Sequence, residues 1–325
     1  MRALVTGAAG FIGGHVVTAL ARDGMRVRAL DLTPPIAGVP DTVEFMPGDI
    51  LDPDTMRRAV EGCDAVFHLA AVYSYARSDA ALMQAVNVRG TRTVLEAALR
   101  GEHRRVVYTS SCATCGPARG RRATEHDLPA PRELIVPYKR TKLEAERVAL
   151  DAARAGAEVI VVNPTVPVGP GDLRPTPTGK MVADVARGRA RAYLARSALN
   201  VVAVEDVARG HVLAFERGRP GERYLLGGDD MTVAEVFAVI ARAAGLSAPR
   251  LPVPWAAAYV GARLADAMLR PVGREPQLLV LDEVRAGRIP HLFDDAKARA
   301  ELGYVSRPAV DALADAARSA LAAPA

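Results

Sequence analysis

Three glycines near the start of the chain, Gly7, Gly10 and Gly13, lie between a short apolar run and an amphipathic segment. The apolar run predicts a strand over residues 3–6, and the apolar periodicity that follows predicts a helix over Phe11–Arg22. In such a turn the first glycine allows the tight bend, the second lets the backbone approach a pyrophosphate, and the third lets the helix pack on the strand. Glycines here can also be purely structural, but the strand–turn–helix context favours a dinucleotide-binding turn.

The first half of the chain alternates short apolar runs with longer amphipathic ones. This pattern is typical of a parallel sheet that is covered by helices on both faces, and right-handed crossovers then give a doubly wound α/β (Rossmann) fold. Further strands are predicted over residues 26–31, 43–46, 65–69, 105–109 and 158–163, and further helices over residues 54–60, 80–99 and 138–153.

The rhythm changes after Asn163, where proline and glycine turns become frequent. Residues 1–163 are therefore predicted to form the dinucleotide-binding Rossmann domain. Residues 201–218 are predicted to return to that domain, as a strand over residues 201–204 that joins the main sheet and a helix over residues 205–216. Residues 164–200 and 219–325 are predicted to form mainly a smaller substrate-binding lobe.

Composition narrows the classes of function. Half of the 325 residues are hydrophobic, and the net charge of +5 is spread over interleaved acidic and basic residues, so no nucleic-acid partner is predicted. No uncharged apolar run reaches the length of about 18 residues that a transmembrane segment needs. Strand-like residues from position 2 leave no room for a signal peptide. An odd count of three cysteines predicts reduced thiols in the cytoplasm, and no metal site is predicted.

Tyr138 precedes Lys142 by four residues, which on a helix places a phenol and an ammonium group on one face. The positive charges of Lys142 and of a bound nicotinamide are expected to lower the pKa of Tyr138 from its usual value near 10. Tyr138 then suits general acid–base catalysis. Ser111 follows an apolar strand and is expected at the carboxyl edge of the sheet, where ligands bind. A surface Tyr–Lys pair without a role is the alternative, which the glycine turn and the serine disfavour.

Asp31 ends the second predicted strand, where a carboxylate can accept hydrogen bonds from both hydroxyls of an adenosine ribose. The same charge would repel a 2′-phosphate, so NAD is predicted and NADP is disfavoured. The alternative is that Asp31 only caps a turn. Asp49 follows the third strand and is expected beside the adenine, although a turn-forming role fits it nearly as well. His68 is expected to pack near the cofactor without ionising.

Motifs along nearly the whole chain resemble those of the extended short-chain dehydrogenase/reductases. They are residues 6–13 (TGAAGFIG), 67–71 (FHLAA), 87–91 (NVRGT), 108–111 (YTSS), 138–142 (YKRTK), 163–164 (NP), 204–208 (VEDVA), 295–298 (DAKA) and 301–304 (ELGY). Within this superfamily, residues 162–172, 175–179 and 210–228 are most similar to the hopanoid-associated sugar epimerases, which border the dihydroflavonol-reductase-like enzymes. That group usually has an arginine near position 31. Nucleotide-sugar epimerases usually have one shortly before residue 204, where this chain reads Ser197-Ala198-Leu199-Asn200.

The resemblance implies that Ser111, Tyr138 and Lys142 are the catalytic residues and that Asn87 supports the site. It implies a cofactor site made of Gly7, Gly10, Phe11, Ile12, Gly13, Asp31, Asp49, Ile50, Leu69, Ala70, Ala71, Asn87, Thr109, Tyr138, Lys142, Asn163, Pro164 and Val166. It also implies a homodimer that pairs the helices over residues 80–99 and 138–153. Their apolar residues exceed one core stripe, among them Leu82, Val86, Leu95, Leu143, Val148 and Leu150.

We therefore predict an NAD(H)-dependent oxidoreductase that transfers hydride at a secondary alcohol or ketone carbon, with Tyr138 moving the proton. Its partner is a small hydroxyl or keto compound, either a sugar or a hydrophobic ketone. The alternative is a redox-neutral sugar epimerase that passes through a transient keto intermediate. A dinucleotide sensor without catalysis would need a broken Tyr138–Lys142 pair. The apolar segment 255–269 is predicted to be core or pocket wall, with contact to a lipid-like substrate or a membrane surface as the alternative.

Overall fold

A seven-stranded parallel sheet dominates the structure, a computed structural model that describes residues 1–34, 42–100, 104–269, 276 and 280–323. The spatial order of its strands is β10-β6-β5-β4-β1-β2-β3. The order reverses between β1 and β4, and the carboxyl ends of strands at such a reversal are where ligands bind in this architecture. The predicted doubly wound α/β class is confirmed. The strands are β1 (Arg2–Thr6), β2 (Arg26–Asp31), β3 (Val43–Pro47), β4 (Ala65–His68), β5 (Arg105–Thr109), β6 (Val159–Pro164), β7 (Val166–Val168), β8 (Ala192–Leu194), β9 (Ala198–Ala203), β10 (Arg223–Leu226), β11 (Asp229–Thr232) and β12 (Leu251–Val253).

Helices cover both faces of this sheet. Ala3 and Val5 of β1 pack on one face, and Leu4 packs on the other. This alternation is what a strand buried on both sides requires. The helices are α1 (Phe11–Arg22), α2 (Pro53–Val60), α3 (Ala80–Met83), α4 (Thr91–Ala98), α5 (Pro137–Arg154), α6 (Pro177–Ala186), α7 (Val204–Arg217), α8 (Val233–Ala243), α9 (Trp255–Leu269), α10 (Leu281–Ala286), α11 (Ala296–Leu302) and α12 (Ala309–Ala322). Among the described residues, none of the helices is both long enough and apolar enough to cross a bilayer.

The helix predicted over residues 80–99 is not uniform. A π-helical segment, Gln84–Gly90, separates α3 from α4. Asn87 lies in this segment, and its side chain bonds to both backbone groups of Val72 and to the hydroxyl of Thr141. Wide turns of this kind are frequent at functional sites, and here the segment ties the loop after β4 to α5.

The second lobe is built on two small sheets. One has the order β11-β9-β7 and packs with α6, α8 and α12 around a separate core. The other pairs β12 with β8 and carries α9 and α10 beside it.

One strand assignment is wrong. The strand predicted over residues 201–204 does not join the main sheet, because β9 pairs with β7 and β11 in the second lobe. The strand that joins the main sheet is β10, which lies beside β6 although its residues are predicted to belong to the second lobe. Both are short apolar runs, and periodicity identifies a strand without identifying its partner. The helix that follows β9, α7, does lie on the main sheet with α1 in one core.

The prediction that the two helices of the dimer contact carry more apolar residues than their own core needs is also partly wrong. Leu95 and Leu143 are buried within the chain's own core. Val86, Val148 and Leu150 are only partly buried against that core.

We expect Gly13→Ala to destabilise the fold and Gly14→Ala to preserve it. A Cβ on Gly13 would lie 2.0 Å from the carbonyl oxygen of Gly7, so α1 would have to move away from β1. A Cβ on Gly14 would meet nothing closer than 3.8 Å. Chemical denaturation should show a loss of about 1–3 kcal/mol for Gly13→Ala and a gain of up to about 1 kcal/mol for Gly14→Ala. Equal stabilities of the two variants would contradict the close packing of this turn.

Candidate active site

A cavity of about 900 Å³ opens at the carboxyl edge of the main sheet and extends into the second lobe. This volume is at the upper end of the roughly 300–1,000 Å³ range of ligand pockets, as expected for a site that takes a dinucleotide together with a substrate. The glycine turn lines one end, the β5 and α5 residues line the middle, and the second lobe closes the other end.

The glycine turn fits a pyrophosphate. Gly7 has a φ of +72°, and a Cβ there would lie 2.6 Å from the backbone nitrogen of Ala70. Gly10 caps α1 without a side-chain cap and without an acidic residue in the first turn. The first backbone N–H groups of α1 and the positive end of its dipole are therefore available to an anion in the cavity.

Asp31 lies beside this turn, and its two carboxylate oxygens accept hydrogen bonds from the backbone nitrogens of Ala9 (3.0 Å) and Leu32 (2.8 Å). Each oxygen keeps a further lone pair. Asp31 thus orders the glycine turn and still presents acceptors to the cavity, so the ribose-binding role and the turn-capping role are compatible.

The three predicted catalytic residues meet in the middle of the cavity. Ser111 follows β5, Tyr138 is the second residue of α5 after Pro137, and Lys142 lies one turn later; all three line the cavity. The Lys142 ammonium donates to the carbonyl oxygen of Thr109 at 2.8 Å and to the hydroxyl of Tyr108 at 3.4 Å. Its position is therefore fixed by the end of β5.

The ionisation of these residues differs from the expectation. Burial raises the pKa of Tyr138 above its usual value, the neighbouring Tyr73 raises it further, and a side-chain hydrogen bond with Ser111 opposes this. Burial also lowers the pKa of Lys142 to about 8, with the charge of Glu146 acting in the opposite direction. The expected lowering of the Tyr138 pKa is therefore wrong for the protein alone, because desolvation of the phenolate dominates.

A buried polar network lies behind the catalytic residues. Glu146 is one turn after Lys142 on α5, and its Oε2 accepts hydrogen bonds from Thr114 Oγ1 and Asn163 Nδ2, both at 2.7 Å. Its other oxygen forms an ion pair with Arg223 at 3.1 Å. Asn163 also donates to the carbonyl oxygen of Ser111. The network therefore fixes the backbone on which Ser111 sits.

Two predicted cofactor residues lie behind the cavity wall. Asn87 and Asn163 are not among the residues that line the cavity and instead hold neighbouring segments in place. The other residues predicted for the cofactor site all line the cavity. His68 is held between the hydroxyls of Thr6 and Thr91, and burial lowers its pKa to about 3, so its ring is neutral at physiological pH.

Sequence reasoning missed two tyrosines beside Tyr138. The ring of Tyr73 packs against that of Tyr138 with 4.4 Å between centroids and a tilt of 39°, and the Tyr73 hydroxyl donates to that of Tyr75 at 3.4 Å. A signal existed, since both tyrosines directly follow the recognised segment 67–71. Lys139 was also missed; it lines the cavity and forms a buried ion pair with Glu133 at 2.7 Å.

Residues 170–176, which we call the strap, cross the cofactor end of the cavity. His15 of α1 donates to the carbonyl oxygen of Pro170 at 3.0 Å. Further along the strap, Arg174 donates to Thr33 Oγ1 at 2.7 Å and lines the cavity with Asp31. The guanidinium thus lies where the adenosine end of a dinucleotide is expected.

The comparisons with known proteins agree with this geometry. A profile of the NAD dependent epimerase/dehydratase family matches residues 3–227.

The chain belongs to this family.

The family lies within the extended short-chain dehydrogenase/reductases, and that resemblance is confirmed. The finer resemblance to the hopanoid-associated sugar epimerases stays a prediction. Sterol demethylase protein B of Methylococcus capsulatus is 35% identical over 320 residues, which cover 97% of each chain. The 4-hydroxy-2-methyl-3-oxo-4-farnesyl-3,4-dihydroquinoline-1-oxide ketoreductase of Stigmatella aurantiaca is 32% identical over 315 residues, covering 94% of this chain and 92% of the relative. The crystal structure of gox2253 matches with a TM-score of 0.85 and 38% identity, covering 98% of this chain and 97% of that one.

We expect Arg174→Ala to weaken NADH binding roughly tenfold, which corresponds to the loss of about one charge-assisted hydrogen bond. Arg189→Ala is the matched control, since Arg189 is in the same lobe, pairs with Asp184 and does not line the cavity. Fluorescence titration of NADH measures both variants. If Arg174→Ala binds NADH as tightly as the control does, the strap has no part in holding the dinucleotide.

We expect the stability difference between the unmodified protein and Lys142→Met to change with pH. The pKa of Lys142 is lowered from 10.5 to about 8 by burial. Between these values Lys142 is more protonated in the unfolded chain than in the folded chain, so it adds to the free energy of unfolding a rise with pH that the variant lacks. Across this interval, the free energy of unfolding of the unmodified protein should rise by up to roughly 3 kcal/mol relative to that of the variant. Urea denaturation of both proteins below and above the interval tests this, and a constant difference would show that Lys142 titrates normally.

Proposed function

We propose that the chain is an NAD(H)-dependent ketoreductase or secondary-alcohol dehydrogenase whose substrate is a largely apolar ring compound. The observation that carries this proposal is the lining of the substrate half of the cavity. It is dominated by apolar and aromatic side chains, among them Tyr75, Met181, Tyr193, Leu194, Phe237, Val253 and Val284.

The charges in this half disfavour a nucleotide diphosphate. Lys142 and Arg174 line the middle and the cofactor end of the cavity. Among the described residues that line the substrate half, the cationic side chain is Lys139, and its charge is already neutralised by Glu133. Glu283 adds a negative charge to the wall. A diphosphate would need free cationic donors here, whereas an apolar ring system matches the lining.

The geometry of the three residues supports the catalytic roles that we propose for them. Ser111 and Tyr138 present hydroxyls to the same part of the cavity, so Ser111 orients the substrate oxygen while Tyr138 exchanges a proton with it. Lys142 supplies positive charge beside the phenol and is held in place by Thr109. When bound, NAD supplies the hydride-accepting ring, and NADH supplies the hydride for the reverse reaction.

NAD is favoured over NADP by Asp31, whose charge would face a 2′-phosphate. The names of the two relatives are consistent with a ring-ketone substrate, since one acts on a farnesylated 3-oxo-dihydroquinoline and the other is a sterol demethylase protein.

A redox-neutral epimerase is the second candidate, because the family name includes epimerases and the same three catalytic residues serve both reactions. The two are separated by incubating the protein with NADH and a panel of steroid, terpenoid and quinoline ketones, and separately with UDP-sugars. Net NADH oxidation on a ring ketone supports the ketoreductase. Epimerised sugar with no net change in cofactor would refute it.

We also propose a cytoplasmic homodimer that pairs the helices predicted over residues 80–99 and 138–153 of two copies. Val148 and Leu150 of α5 retain partial exposure. A closed two-fold contact satisfies both copies equally. A monomer measured by light scattering at micromolar concentration would refute the dimer.

We expect Tyr138→Phe to reduce kcat on a ketone substrate by about 10²–10⁴-fold, the usual contribution of general acid–base transfer. NADH affinity should stay nearly unchanged, because only the hydroxyl is removed and the ring packing is retained. Tyr73→Phe is the matched control, since it removes a hydroxyl from the ring that packs against Tyr138. Comparable kcat values for the two variants would disprove the assignment of Tyr138 as the proton carrier.

A further inference from the structure

The second-lobe helix α9 exposes an apolar face. Val260, Leu264 and Met268 recur every four residues and are 57%, 55% and 72% exposed. Ala258 and Ala262 are the buried residues of this helix. Such a continuous exposed stripe is unusual on a monomeric soluble protein and marks an interaction surface.

The inner side of the same helix faces the substrate half of the cavity. Ala258 lines the cavity together with Val253 of the preceding strand. The start of α9 is anchored, since the indole of Trp255 donates to the carbonyl oxygen of Val284 at 2.8 Å and stacks on Tyr259. An exposed apolar face and an apolar cavity wall are thus two sides of one helix.

Exposed arginines lie on α9 and close to it in sequence. Arg263 lies within α9, Arg250 precedes β12, and both are exposed. Arg288 is exposed and lies over the ring of Trp255 at 4.9 Å. The acidic residue of α9, Asp266, is half-buried. An exposed apolar helix face, with one arginine on the same helix and another over its first residue, complements an anionic lipid surface, in which an amphipathic helix lies parallel to the membrane plane.

The size of the face argues against a second copy of the chain as its occupant. The 15 residues of α9 span about 22 Å at a rise of about 1.5 Å per residue, and a helix is about 10 Å wide. The face therefore offers on the order of 200 Å², well below the roughly 800 Å² per partner of a standard interface.

We propose that α9 docks the protein on anionic lipid bilayers, with Val260, Leu264 and Met268 inserted at the headgroup level. The docking does not depend on the reaction. Entry of an apolar substrate from the bilayer into the cavity beside Ala258 rests in addition on the proposed function.

Vesicles test the docking directly. The protein is mixed with vesicles of phosphatidylcholine alone or of phosphatidylcholine with phosphatidylglycerol, and binding is measured by co-sedimentation. Trp255 is the single tryptophan of the chain, so its fluorescence reports on α9 without labelling. We expect binding and a Trp255 fluorescence change with the anionic vesicles, weaker binding at high salt, and little binding to the neutral vesicles.

Leu264→Glu and Met268→Glu should each reduce binding to anionic vesicles by roughly tenfold or more, because each places a charge at the lipid boundary. Val305→Glu is the matched control, since Val305 is 71% exposed and lies outside α9. NADH titration confirms that each variant is folded.

Absence of anionic-vesicle binding by the unmodified protein overturns the proposal. So does equal binding by Leu264→Glu and Val305→Glu. A change in oligomeric state on Leu264→Glu, with no vesicle binding by the unmodified protein, would instead assign the face to a second copy. Turnover is measured separately on dissolved ketones, so a failure of the proposed function and a failure of the docking give different results.

Discussion

The buried ammonium of Lys142 is the interaction on which the site depends. A charge out of contact with water must be held by hydrogen bonds, and Lys142 finds its main acceptor in the carbonyl of Thr109 at the end of β5. This bond joins α5 to the carboxyl edge of the sheet and fixes the rotation of the helix. Tyr138, one turn earlier on the same face, is thereby directed into the cavity, where Ser111 from the end of β5 meets it.

The same arrangement opposes stability. Burial lowers the pKa of Lys142 and raises that of Tyr138, so burial disfavours the charged form of each group. Glu146 offsets part of this by placing a negative charge one turn from the ammonium, and its own burial is satisfied by Asn163, Thr114 and Arg223. A charged network of this kind contributes little net stability. We therefore attribute its presence to the positioning of the site, where stability is commonly given up for activity.

Local chemistry made much of this structure predictable. The glycine turn, the first six strands of the main sheet and the Tyr138–Lys142 pair were all found because each depends on residues close in sequence. The partners of β9 and β10 were misassigned because strand pairing depends on distant segments. The shift in the Tyr138 pKa was missed because it depends on desolvation by neighbours such as Tyr73. Arg174 was missed because, as with the strand partners, its contact depends on a distant segment: Thr33 lies 141 positions away in the sequence.

The division of labour between the two lobes explains why family membership does not identify the substrate. Each residue proposed as catalytic comes from the strand ends or from α5, so the same chemistry is available to any member of the family that keeps them. The substrate half of the cavity is built by β8, α8, α9 and α10, whose residues carry no motif. In this chain those elements supply Tyr193, Phe237 and Val284 instead of free cations. Under the proposed function, the second lobe selects its substrate by apolar contact area, and the absence of free cations in its described lining disfavours a diphosphate.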